Sequence, residues 1–270
     1  MKPFAIMLFI LLLLPLSSGA FQLVYHKFDM TLREDGGANV LEEYQLYMDS
    51  NESSIFYDTI MSLNDVSAWK NVTSLENLRI HMDTTVAKID NVRIRAQRRQ
   101  SYSPWTGTSY GIVRIEYDVS NILPGSFISV TQSKPRTYTY TLNPCALSFE
   151  TSKEGDVTLP EDTTLTLNIP QDSAITRLNP FPEYFTKTSL PMPGISQFTW
   201  TGPSVLAGFE LEFTREEPLE TEMIEFFRDF QQSVVQLMRS QEGYALLLMV
   251  LVLLSSTILL KRHMGSQKQT

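Results

Sequence analysis

Apolar and polar residues alternate over long stretches of this chain, which is the period of a strand with one dry face and one wet face. Phe28, Met30 and Leu32 alternate with Lys27, Asp29, Thr31 and Arg33. Glu34 to Asn39 then supply a turn, in which Gly36 and Gly37 tolerate the positive φ of a tight reversal. On the return strand Val40, Tyr44, Leu46 and Met48 share one parity, and Glu42 falls among them. A carboxylate on an apolar face is costly unless paired, so Glu42 is expected either to meet an Arg, a Lys or backbone donors, or to lie at a rim or bulge.

The same grammar predicts further strands at "LRIHMD", "AKIDNVRIRAQ" and "YGIVRIEYDV", with a short helix at "TIMSLNDVSAWKN", where Ile60, Leu63, Val66 and Trp69 recur at threefold spacing. Pro124 and Gly125 mark a boundary. Beyond it "FISVTQ", "RTYTYTLN" and "CALSFET" resume the strand pattern, and Leu165, Leu167 and Ile169 alternate with Thr164, Thr166 and Asn168. The connection through Pro180, Pro182, Pro191 and Pro193 suits an edge or the surface, because proline donates nothing to a ladder. Phe198 and Trp200, then Phe209, Leu211 and Phe213, read as a final strand pair with Glu210 and Glu212 facing outward.

After Pro218 the period changes. Leu219, Met223, Phe226, Phe230, Val234 and Leu237 follow a helical stripe, and Glu216, Glu217, Glu220 and Glu222 gather where a helix dipole favours negative charge. The stripe reads as a stalk, covered by its own β unit, by the membrane surface, or by neighbouring stalks meeting through Phe226, Phe230, Val234 and Leu237. From Tyr244 to Leu260 no charge occurs, and a helix of that run is about 26 Å long, close to a bilayer's hydrocarbon thickness. Lys261, Arg262 and His263 follow at once, which places the short tail in the cytoplasm. At the other end, Lys2, the apolar stretch Phe4 to Leu14, Pro15 and the small residues Ser18 and Ala20 have the order of a secretory signal cut after Ala20, the alternative being an uncleaved anchor, for which eleven apolar residues are short.

These patterns predict a mainly β protein: a signal peptide at 1–20, β-sandwich units at 21–124 and 125–215, an amphipathic stalk helix at 216–242, a transmembrane helix at 243–260 and a cytoplasmic tail at 261–270. Two packed units are the preferred reading, with a single sandwich as the alternative.

Composition narrows the function more by exclusion than by assignment. A formal charge of −8 argues against a nucleic-acid partner, which needs clustered cations. The single cysteine, Cys145, permits no internal disulfide and reads as a small buried hydrophobe, the alternative being an intermolecular disulfide. His26, His81 and His263 stand in no paired metal-ligand spacing, and no nucleophile elbow, phosphate loop or dinucleotide fingerprint occurs, so neither catalysis nor a cofactor is expected. Asn51 and Asn71 head acceptor sequons that exposure outside the cell would make available to glycans. Arg93, Arg95, Arg98 and Arg99, beside Tyr102, Trp105 and Tyr110, form the most distinctive exterior patch. It suits an anionic sugar, a lipid headgroup or an acidic partner; the alternative is a solvated strand face with Trp105 plugging a turn.

The opening hairpin, "VTLPEDTTLTLNIP" and the closing "FTWTGPSVLAGFELEFTREEPLE" resemble, in layout, archaeal and some bacterial predicted single-pass membrane proteins of unknown function with a β-sandwich ectodomain. Their D-G-x-x-x-V-x-E pattern maps onto Asp35, Gly36, Val40 and Glu42 with a second glycine added, and it implies fold and anchor without an activity. The expected role is therefore a noncatalytic type I membrane protein at the cell surface, bound to the bilayer and to copies of itself or other envelope proteins. The alternative is an accessory subunit of a membrane-embedded export, glycosylation or processing complex.

Overall fold

A computed structural model describes residues 21–239 except 104, 106, 152–155, 186–188 and 218, together with 255 and 256. The expected signal peptide and tail lie outside the described residues, as does the expected span apart from Ser255 and Ser256, whose backbone is helical. Among the described residues no helix is long and apolar enough to cross a membrane.

The chain runs β1 (Gln22–Leu32), β2 (Ala38–Met48), α1 (Asn51–Ile60), α2 (Val66–Thr73), β3 (Ala87–Ala96), β4 (Gln100–Ser103), β5 (Thr108–Asn121), β6 (Ile128–Lys134) and β7 (Thr137–Leu142). A 3₁₀ turn (Pro144–Ala146) then leads to β8 (Glu150–Thr151), β9 (Val157–Leu159), β10 (Thr163–Asn168), β11 (Ser173–Asn179), β12 (Met192–Pro193), β13 (Gln197–Thr201), β14 (Ser204–Leu206), β15 (Glu210–Glu216) and α3 (Leu219–Arg239). The protein is mainly β, with several sheets. It divides into a β unit ending at Glu216 and a second unit from Glu217, which carries α3.

The largest sheet has the order β13-β10-β1-β2-β5-β3, with β4 also on β5; the others are β12-β11-β15-β7-β6 and β14-β9-β8. The β1–β2 hairpin forms where alternation predicts it. Phe28, Met30, Leu32, Val40, Tyr44, Leu46 and Met48 are all buried, and Gly36 takes a positive φ of 77° in the turn. β5 alternates in the same way, burying Val113, Ile115, Tyr117 and Val119 against β2. Side chains of the two larger sheets share one apolar core: Trp200 on β13 meets Phe209, just before β15, edge to face at 5.5 Å.

The boundary at Pro124 and Gly125 lies in a turn, and strands from both sides of it build the same sheet. β10 pairs in parallel with β1, Phe28 opposite Leu165 and Met30 opposite Leu167. Phe198 and Phe213, predicted on neighbouring strands, sit in different sheets, because β13 pairs with β10 whereas β15 pairs with β11 and β7. "LRIHMD" is no strand. Its backbone groups instead bond to a side chain and to the loop around Ser148, leaving only a bridge between Met82 and Leu147. The proline-rich connection ends in β12, an edge strand, as proline requires.

The predicted short helix is two helices. Ser50 caps α1 through a reciprocal box with Ser53, and Asp65 caps α2 by accepting from the Ala68 N–H at 2.7 Å. Ser74 ends α2 in the left-handed region. Both helices bury one aromatic, Tyr57 and Trp69, with ring centres 5.9 Å apart.

Candidate functional site

The pairing of β1 with β2 fixes which side chains share the inner face. His26 lies opposite Tyr44 and Phe28 opposite Glu42. Because side chains alternate along a strand, His26 points with Phe28 and Met30 into the core, and Glu42 with Val40 and Tyr44. On the neighbouring strand Tyr117 stands opposite Val40, on the same face. The segment between α2 and β3 then brings in His81, anchored where Ser148 N–H donates to its carbonyl at 2.9 Å.

Glu42 is fully buried, and it is satisfied. Five polar atoms lie within 3.1 Å of its carboxylate. Oε2 receives His26 Nε2 at 3.1 Å, His81 Nδ1 at 2.8 Å and the Tyr44 hydroxyl at 2.5 Å. Oε1 accepts from the His81 backbone N–H at 2.8 Å and the Tyr117 hydroxyl at 2.6 Å. The Tyr44 hydroxyl also reaches the Arg79 carbonyl and His81 Nδ1, so its single proton has alternative acceptors. Aromatic rings wall the cluster: His26 stacks on Tyr44 at 4.4 Å and His81 on Phe149 at 4.8 Å.

Burial pushes the Glu42 carboxyl up, yet the hydrogen bonds and positive charge of His26 and His81 outweigh it and hold the group well below the usual carboxylate range. Burial lowers His26, and its hydrogen bond to Glu42 together with the Glu42 charge recovers only part of that shift. Burial and then the Glu42 charge push both tyrosine hydroxyls well up. The arrangement is an ionised carboxylate ringed by histidine, tyrosine and backbone donors.

Both histidines also line a cleft of about 420 Å³, together with Tyr25, Phe149, Glu161, Asp162 and Thr163. One ligating atom from each of His26, Glu42 and His81 falls within 4.8 Å of the others, making a nitrogen and oxygen donor set suited to a divalent metal. Sequence spacing missed this set because its members come from two strands and a loop. The signal was nevertheless present, since His26 shares the parity of Phe28 and Met30 as Glu42 shares that of Val40 and Tyr44. Glu42 was expected to find Arg, Lys or backbone donors; it found one backbone N–H, with histidine and tyrosine in place of the cations.

The arginine and aromatic residues fall along one sheet edge. Arg93 and Arg95 are exposed on β3, opposite Glu116 and Arg114, and Arg98 is exposed beyond it. Arg99 pairs with Asp58 at 3.0 Å. Trp105 plugs nothing, being 97% exposed in a turn, and Tyr102 packs edge-on against Tyr110, which in turn meets Tyr47. Asn51 and Asn71 are exposed, whereas the sequon hydroxyls of Ser53 and Thr73 are buried in helical contacts. Cys145 is exposed rather than buried, because its 3₁₀ turn turns Ala146, not the thiol, into the core.

On α3, Phe226, Phe230 and Val234 are exposed, the first two stacked with centres 6.4 Å apart, and Leu237 belongs to the same helix. Comparison with known proteins finds no family model that matches this chain and no curated protein similar to it.

Proposed function

We propose that this chain is a noncatalytic, type I single-pass membrane protein that displays its β unit, read as a β-sandwich, at the cell surface and associates with copies of itself through α3. The leader at 1–20 exports it, the run at 243–260 anchors it, and residues 261–270 stay in the cytoplasm. The observation that carries this reading is the apolar stripe of α3, where Met223, Phe226, Phe227, Phe230 and Val234 are exposed, on a helix that leads in sequence to the uncharged run from Tyr244. Five large apolar groups left in water are unfavourable, so the stripe calls for a cover.

Charge favours a protein cover over a lipid surface. Helices that lie on membranes carry lysine and arginine on the polar face, whereas α3 has Glu220, Glu222, Glu225 and Asp229 against Arg228 and Arg239, with no lysine. A second copy supplies the matching stripe without bringing an anionic surface near those carboxylates. Phe230→Asp combined with Leu237→Asp is expected to convert oligomers of the full-length chain, extracted in mild detergent, to monomers by light scattering. An unchanged oligomer abolishes the proposed role of the stripe, and crosslinking in native membranes that recovers only a different polypeptide favours the accessory-subunit reading.

A further inference from the structure

We propose that His26, Glu42 and His81 bind one divalent cation of the zinc class, which ties β1 and β2 to the segment that precedes β3. Ligating atoms already converge: His26 Nε2 and His81 Nδ1 lie 3.1 and 2.8 Å from the same carboxylate oxygen, Glu42 Oε2, and one donor atom from each of the three residues falls within 4.8 Å of the others. Imidazole and carboxylate donors suit zinc, cobalt or nickel, whereas calcium and magnesium demand more oxygen ligands.

The surroundings are those of a held site. Glu42 Oε1 stays fixed by the Tyr117 hydroxyl and the His81 N–H, so the carboxylate is oriented by groups that need not move when Oε2 turns to a cation. Stacking on Tyr44 and Phe149 fixes the planes of His26 and His81. Tyr44 has a second acceptor for its proton in the Arg79 carbonyl, so its hydroxyl need not donate to Glu42 when a cation takes Oε2. The cleft lined by both histidines, with Glu161 and Asp162 at its wall, gives an access path of favourable charge and room for water in any remaining position.

Binding requires lone pairs on the two nitrogens that now face Glu42. Each imidazole supplies one in the tautomer that carries its proton on the other ring nitrogen. The single Glu42 charge, on a fully buried side chain, then faces the cation directly, which strengthens the attraction. In a chain whose one cysteine excludes an internal disulfide, such a cation would supply the cross-link that burial alone lacks.

The test uses the full-length chain, stripped with a chelator and titrated with zinc chloride against a chromophoric competitor. One zinc per chain is expected, with a rise in Tm, and cobalt chloride is expected to give the visible absorption of a low-coordinate nitrogen and oxygen site. His26→Gln and His81→Gln are each expected to weaken zinc binding at least about 100-fold. Where a histidine variant fails to fold, Glu42→Gln keeps the packing while removing the anionic ligand, and is expected to abolish the cobalt spectrum. A folded wild-type chain that shows neither zinc binding nor the cobalt spectrum overturns the proposal, as does binding that these substitutions leave unchanged.

Discussion

Glu42 is a charge in a dry core, and what keeps it there is the number of its donors. Removing it leaves two imidazole N–H groups, a backbone N–H and the Tyr117 hydroxyl facing an apolar void. Glu42→Ala is therefore expected to lower the unfolding free energy in urea by about 3–5 kcal/mol. Glu42→Gln should cost less than about half of that, because its amide carbonyl keeps the Oε1 donors and its NH₂ donates to imidazoles that switch tautomer. Equal losses in the two variants would show that the negative charge, which both remove, sets the cost rather than the volume and hydrogen bonds that Gln keeps. A second carboxylate acts at the surface. The Gly37 N–H and then Arg33 hold Asp35 below its ordinary value of 3.8. Its folded pKa is depressed, so its contribution is complete above the unfolded value and disappears as pH falls through the folded one. The stability gap between wild type and Asp35→Asn is expected to be constant near neutrality and to close below pH 3.8, as read by urea melts at each pH. At this scale the sequence marked Glu42 as a residue needing partners, because a carboxylate on a dry parity is visible in the alternation. The partners were not legible, since His81 arrives from a loop; nor was the exposure of Cys145, which a local 3₁₀ turn decides.

Helix α1 shows how an element finds its seat. Tyr57 sends its hydroxyl to the Gln97 carbonyl at 2.8 Å and lays its ring over Gly111 of β5, where a Cβ would lie 2.5 Å from the ring Cε2. Gly111 is thus required for space, and Gly111→Ala is expected to destabilise the protein by about 1–3 kcal/mol, seen as a lower midpoint in urea. Tyr57→Phe, which keeps the ring and loses the hydroxyl, should cost about 1 kcal/mol. A Gly111→Ala chain as stable as wild type would mean that α1 seats elsewhere. The caps at Ser50 and Asp65 explain why threefold spacing predicted one helix where two exist: apolar spacing marks the buried face, but the cap decides where a helix starts. The strands β1, β2 and β5 were legible for the opposite reason, because alternation repeats over enough residues to fix the buried face.

Across the whole molecule the deciding feature is the parallel pairing of β1 with β10, which makes the first strand depend on a segment well past the turn at Gly125. A fragment of residues 21–124 lacks β10 and β13, exposing one side of β1 and leaving Phe28 and Met30 without Leu165 and Leu167. It is expected to show no cooperative thermal transition by circular dichroism, whereas a chain ending at Glu216 should retain one, since that residue closes the β unit. A cooperative melt of the shorter fragment would establish it as an independent domain. Alternation determined by itself that this protein is mainly β, where its hairpin turns and which faces are dry, because these follow from the two-residue period of a strand and the cost of wetting apolar groups. Partnership between distant segments was left to the tertiary structure: whether β13 joins β10 or β15, and which groups meet Glu42, depends on contacts between segments up to 75 residues apart. No local period carries that information, since a strand's edge bonds equally well to any backbone that arrives in register.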